Sequence, residues 1–213
     1  GSFRAQFLLE SLEDLDAKLR TLGSGLRIVI GKPEVEIPKL VQEYKAQKVF
    51  AKREVVFEEK QTEKKVQTEL FKLRCELDTF STSTLYHAED LPFSIKDIPD
   101  VFTNFRKKTE KDSEIRPPFE APTKINSPEI FPIELPTLDA LGLTKTSIDS
   151  RAVLPFKGGE SEAIRRLKHY FYDTQCLSSY KETRNGMIGA DYSSKFSPWL
   201  ALGCISPRFI YAE

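Results

Sequence analysis

Apolar residues recur every three or four positions at the start of the chain. Ala5, Leu8, Leu12, Leu15, Leu19 and Leu22 form one stripe, which predicts an amphipathic helix. Gly23-Ser24-Gly25 ends it, since glycine turns with positive φ at no steric cost. The run Leu26-Arg27-Ile28-Val29-Ile30 is short, β-branched and bounded by Gly31 and Pro33, so it predicts a strand. Residues 38–46 predict a short helix with proline at its start. Residues 49–51 predict a second buried strand. Residues 58–74 predict a charged helix with Val66, Leu70 and Leu73 on its apolar side, and 77–80 and 84–86 two further strand pieces. Helices alternating with strands through short links predict a parallel α/β sheet with right-handed crossovers. Such a sheet normally opens on a strand, whereas this chain opens on a helix and holds no G-x-G-x-x-G turn. A first strand is therefore expected to be missing from the N-terminus.

The pattern changes after residue 93. Eight of the thirteen prolines fall between Pro92 and Pro136. A short helix is predicted over 98–111, and beyond it no helix can propagate far. Phe119, Ile125, Ile130, Phe131, Ile133 and Leu135 punctuate the proline-rich run, which suggests a connector lying on a surface and not a free linker. A third pattern starts at Gly158-Gly159-Glu160. Ala163, Ile164, Leu167, Phe171, Thr174 and Leu177 trace a helical face to about Tyr180. A polar loop over 181–197 leads into Pro198-Trp199-Leu200-Ala201-Leu202-Gly203, and Pro207 opens another helix. One and a half helices cannot close a core, so the chain is expected to be the middle of a longer protein. The organisation read here is 1–93, 94–150 and 151–213.

Composition narrows the choice. The 213 residues carry 32 Lys and Arg against 32 Asp and Glu, which argues against a polycation holding DNA or membranes by charge alone. At 39% hydrophobic the chain can build a core. No apolar run is long enough to span a bilayer, and the first twenty residues, with Glu10, Glu13, Asp14 and Asp16, do not resemble a leader. Cys75, Cys176 and Cys204 are far apart, which points to a reducing compartment and away from a disulfide framework or zinc site.

Few residues stand out chemically. Ser193-Ser194-Lys195-Phe196-Ser197-Pro198 places three hydroxyls and an ammonium where Ser197 would cap a helix opened by Pro198. Those are the parts of an anion or phosphate site, and equally of an ordinary helix cap. Tyr180 and Arg184 could meet a nucleotide, or serve as a core tyrosine and a C-terminal arginine on the helix dipole. Trp199 reads as packing, and His87 and His169 lack metal-ligand partners at helical spacing. Arg165-Arg166 reads as a solvated face. From residue 157 onward eight Lys and Arg face six Asp and Glu, so no basic stripe is present. Glu54 follows a strand at the C-terminal edge of the sheet, where α/β sheets take ligands, although a loop carboxylate there is equally ordinary.

Phe156-Lys157-Gly158-Gly159-Glu160, Tyr180-Lys181-Glu182-Thr183-Arg184-Asn185 and Gly189-Ala190-Asp191-Tyr192-Ser193-Ser194-Lys195-Phe196-Ser197-Pro198-Trp199-Leu200-Ala201-Leu202-Gly203-Cys204-Ile205-Ser206-Pro207-Arg208 together resemble the photolyase/cryptochrome family. The Glu-Thr-Arg-Asn and Asp-Tyr-Ser-Ser-Lys-Phe-Ser-Pro-Trp wording is similar to its DASH branch. So is Thr84-Leu85-Tyr86-His87 followed by Asp90-Leu91-Pro92-Phe93. The resemblance implies a flavoprotein with a Rossmann-like α/β parallel-sheet antenna domain, here lacking its first strand, then a connector and the start of an all-α FAD-binding domain. It implies FAD contacts at Tyr180, Ser193, Ser194, Lys195, Phe196 and Ser197, and a DNA contact at Arg184. It also implies an antenna carboxylate at Glu54, with 5,10-methenyltetrahydrofolate as the pigment.

The activity implied is blue-light-driven repair of cyclobutane pyrimidine dimers, with single-stranded DNA as partner. The polypeptide is expected to be a soluble monomer in the cytoplasm or an organelle. A non-repairing photoreceptor of the same fold and a short nucleotide- or partner-binding α/β module are the alternatives. With Trp199 as the single tryptophan, no tryptophan relay fits within these residues, so the 213-residue segment alone is expected to bind FAD poorly and to repair nothing.

Overall fold

A computed structural model describes residues 1–128 and 134–213. Two compact units emerge, residues 29–116 and residues 1–28 with 117–213.

In the first unit, helix α2 (Pro33–Tyr44) is followed by strand β1 (Lys48–Lys52), helix α3 (Phe57–Lys72), strand β2 (Glu76–Phe80) and, after two 3₁₀ turns, helix α4 (Phe102–Asp112). (Helix α1, Ser2–Thr21, belongs to the other unit.) The strands pair in parallel, Lys48 opposite Glu76 through Lys52 opposite Phe80, with α3 as the crossover. Val41, Val66, Leu70 and Cys75 form the buried core beneath them, with Ile37, Val49, Leu73 and Leu77 packed against it. Burying this set is the main source of cohesion, at about 1.5–3 kcal/mol for each large aliphatic side chain.

Several expectations change. Helix α2 starts five residues before the position predicted, at Pro33. That proline takes the first helical position, where a missing N–H costs nothing, and Pro38 is carried inside the helix. Residues 26–30 are not a strand: no neighbouring strand lies beside them among the described residues, and β-branched residues alone cannot make a ladder. The Leu26 N–H instead donates to the Asp16 carboxylate at 2.8 Å, and Ile30 stays 71% exposed. Residues 84–86 are not a strand either: 85–86 form a bend, and the Thr84 hydroxyl donates to the Tyr86 carbonyl. Among the described residues the sheet therefore has two strands.

The other unit is helical. Helix α1 (Ser2–Thr21) packs on helix α5 (Glu160–Lys168), and helices α6 (Tyr180–Thr183), α7 (Ser197–Ala201) and α8 (Pro207–Ala212) follow. Phe7, Ala163, Leu167, Phe196, Trp199 and Ile205 make its core. The predicted long helix to Tyr180 loses its α geometry at His169. Residues His169–Asp173 form a π-turn, and Gln175 adopts φ 50° shortly after.

Helix α5 has no side-chain cap of its own, because Gly159 occupies that position at φ 104°. Its caps come from α1: Glu10 accepts from the Gly158 N–H at 2.8 Å and Ser11 Oγ from the Gly159 N–H at 3.0 Å. Asp14 accepts from the Ser161 N–H and hydroxyl. Only glycine fits at 158, since a Cβ there would lie 2.1 Å from the Phe7 carbonyl oxygen. In the proline-rich run, the Ile125 N–H is seated on the Leu22 carbonyl, whereas Phe119 is 95% exposed and covers nothing. Ile130, Phe131 and Ile133 lie outside the described residues.

Candidate functional site

The last turn of α5 points Arg166 into the protein. Its side chain is buried, not solvated as the Arg165-Arg166 pair suggested; Arg165 is the exposed member. The guanidinium donates through Nε to the Ser194 carbonyl at 3.0 Å, and through Nη2 to the Ala190 and Ser193 carbonyls at 2.9 and 3.1 Å. Nη1 donates to Asp191 Oδ1 at 2.7 Å. His169 Nε2 lies 3.2 Å from both oxygens of Asp191. Burial alone would raise the Asp191 pKa, but hydrogen bonds and charge from Arg166 and His169 outweigh it and hold the carboxyl below its ordinary value.

The loop so held carries the predicted residues. The hydroxyls of Ser193, Ser194 and Ser197 find no partner among the described residues. Lys195 adopts φ 61°, and its ammonium sits 3.3 Å from the centroid of the Tyr192 ring. Phe196 is buried against Tyr170 and Phe171, with centroids 6.4 and 6.0 Å apart.

Ser197 does not cap α7. It is the first helical residue, Phe196 takes the cap position and no side-chain cap bond forms. At five residues α7 also has little dipole, so its N-terminus adds little positive potential to this loop. The cap that does form is Ser206, whose Oγ accepts from the Arg208 N–H ahead of α8. Trp199 packs with Phe7 and Phe156, and its indole N–H donates to the Lys157 carbonyl at 2.9 Å.

Tyr180 opens α6 and is 39% exposed; among the described residues it makes no ring contact or hydrogen bond to residues 193–197. Arg184 caps the C-terminal end of α6, exposed and without a carboxylate partner among the described residues. In the other unit, Glu54 follows β1, pairs with Lys52 at 3.2 Å and borders a cavity of about 380 Å³. Ile37, Val49, Val66 and Leu77 line that cavity together with Glu58 and Glu63. Among the described residues no cluster of His, Cys, Asp and Glu is placed to hold a metal ion, and no helix is long and apolar enough to cross a membrane.

The family model described as DNA photolyase matches residues 1–124. The chain belongs to the DNA photolyase family. Within it, the chain is similar along its whole length to cryptochrome DASH of Gloeobacter violaceus (50% identical) and of Danio rerio (48%), covering 43% and 42% of those proteins. Among solved structures it superposes on the Synechocystis sp. PCC6803 cryptochrome with a TM-score of 0.93 at 45% identity, covering 44% of that chain. The class III photolyase of Agrobacterium tumefaciens, at 24% identity and a TM-score of 0.82, shares the fold. The chain spans less than half the length of these relatives.

For a photolyase-family chain, the residues that sequence reasoning missed are Arg166, Asp191, His169 and Tyr170. The Tyr170 hydroxyl is buried without a hydrogen-bond partner among the described residues, and that burial pushes its phenol pKa up, with Cys176 and Tyr180 adding to the rise. The available signal was the position of Arg166, three residues after Ala163 and four before Tyr170, both of which are buried.

Proposed function

We propose that the 193–197 loop holds the diphosphate of FAD, in a flavoprotein that repairs cyclobutane pyrimidine dimers in single-stranded DNA under blue light. The observation that carries this reading is a loop with three unengaged hydroxyls and a lysine, clamped from behind by a buried arginine. Those groups suit phosphate oxygens, which need several short donors and a neutralising cation. Ser193, Ser194 and Ser197 would donate, Lys195 would balance charge, Phe196 would anchor the loop in the core, and Tyr180 would offer its half-exposed ring. Bound FAD supplies the light-excited electron for splitting the dimer.

In this reading Arg184 meets the DNA backbone as an exposed cation with no carboxylate partner among the described residues. Glu54 accepts from the ring amine of a methenyltetrahydrofolate antenna beside an apolar cavity. The functional partition in this reading is an antenna domain over 1–93, a connector over 94–150 and the start of the flavin domain over 151–213, in a monomer. Residues 1–28 of the first segment pack into the helical unit. Flavin capture tests the reading. The intact protein, reconstituted with FAD and desalted, should retain flavin absorbance, and a Ser193→Ala/Ser194→Ala variant should retain less. An intact protein that emerges colourless and indifferent to added flavin overturns it.

A further inference from the structure

We propose that Arg166 is the positioning residue of the flavin loop, because its guanidinium fixes the peptide planes of residues 190–195 so that the Ser194 and Lys195 N–H groups face the cofactor's phosphate. The inference rests on the FAD reading above.

A trans peptide is planar, and its C=O and N–H point in opposite directions. The Ser193 and Ser194 carbonyls both accept from Arg166. The N–H groups in the same two planes, those of Ser194 and Lys195, therefore point away from the guanidinium. Neither is taken by an acceptor among the described residues. Two adjacent free N–H groups, flanked by free hydroxyls and a lysine, form the backbone concavity that binds anionic oxygens.

The conformation does not arise from local preference. Lys195 stands in the left-handed region, which a residue with a Cβ adopts at a cost and keeps only when its surroundings dictate it. Arg166 provides that constraint. Its rigid fork meets three carbonyls and a carboxylate at 2.7–3.1 Å while buried to 6% exposure. Lysine at 166 could keep the charge and reach one or two acceptors, and would leave the remaining carbonyls free to rotate. Asp191 orients the fork from the opposite side, with His169 on its other oxygen.

Arg166→Lys and Asp191→Asn, each in the intact flavin-loaded protein, test this by flavin dissociation rate well below the melting temperature and by backbone hydrogen exchange over 190–197. The expected result is release at least tenfold faster for Arg166→Lys and about threefold faster for Asp191→Asn. Exchange should accelerate within 190–197 and stay unchanged in α3, a pattern that general destabilisation would not give. Should Arg166→Lys fail to fold, Asp191→Asn, on a partly exposed side chain, decides alone. Release within twofold of the parent protein in every folded variant overturns the inference. A parent protein that holds no flavin overturns the FAD reading itself, and inorganic pyrophosphate protecting the same amides in that protein would still support the positioning role.

Discussion

Replacing Gly158 by alanine should disconnect α1 from α5. The added Cβ would lie 2.1 Å from the Phe7 carbonyl oxygen, 2.5 Å from Ser11 Oγ and 2.8 Å from the Ser11 nitrogen. Two of those three atoms are backbone in the middle of α1, so neither can swing aside as a side-chain tip would. Relief requires the two segments to part by about 1 Å, judged from the ordinary closest approach of non-bonded atoms. That separation breaks or lengthens the bonds from Gly158 N–H to Glu10, from Gly159 N–H to Ser11 and from Ser161 to Asp14. Overpacking costs about 1–3 kcal/mol, and losing a carboxylate-accepted bond about 1.5–3 kcal/mol, so a total near 3–5 kcal/mol is expected. At about 2–4 °C for each kcal/mol in a chain this long, the melting point should fall by roughly 6–20 °C.

Trp199 is the single tryptophan, and its indole N–H is bonded to Lys157, the neighbour of the altered residue, so its fluorescence follows the right region. Gly203→Ala is the control. That glycine also has positive φ, 69°, but open space around it, so it should lose only about 1–2 kcal/mol. Equal losses at 158 and 203 would refute the close-approach reasoning.

Acid should unfold the protein through Asp16 and Asp191. Burial raises the Asp16 pKa, but the Arg20 and Leu26 hydrogen bonds overcome this, and both carboxyls titrate lower in the folded state than unfolded. Their contribution is therefore complete above about pH 4 and is lost as pH falls towards the folded values; urea midpoints from pH 7 to 3 should be flat and then drop, less steeply in Asp16→Asn. Arg184→Gln should weaken single-stranded DNA binding and reduce the log–log salt slope by about 0.7, with stability within about 0.5 kcal/mol of the parent, since no partner is lost. Glu54→Gln should diminish near-ultraviolet absorbance from a bound folate while leaving flavin absorbance unchanged, measured as the ratio of the two bands in the intact protein; an unchanged ratio sinks the antenna role of Glu54.

Periodicity located elements along the chain better than it named their buried faces. The stripe from Ala5 to Leu22 located α1, although the helix buries Phe7 and Asp16 while Leu8 and Leu15 of the stripe stay exposed. The 49–51 and 77–80 runs became the paired strands, with Phe50 65% exposed where a buried strand was expected. It failed where structure depends on a partner distant in sequence. Residues 26–30 have strand composition, but a strand exists only as one side of a ladder, and Asp16 takes the Leu26 N–H instead. Ser197 looks like a cap because local wording cannot reveal whether φ and ψ at that residue are already helical. The clamp on the candidate loop was hidden for a different reason. Arginine in a helix reads as surface, and only the arrival of four acceptors from residues 190–194 makes its burial tolerable.

The capping of α5 by α1 sets a waiting time during synthesis. Asp14 leaves the ribosome 147 positions ahead of Ser161. At about 5–20 residues per second, α1 spends roughly 7–30 s before the helix end it serves has been made. Throughout that interval Phe7 and the neighbouring leucines lack their final cover, so the nascent polypeptide should be a client for chaperones until residue 161 emerges. Slower decoding across the proline-rich stretch would prolong that exposure.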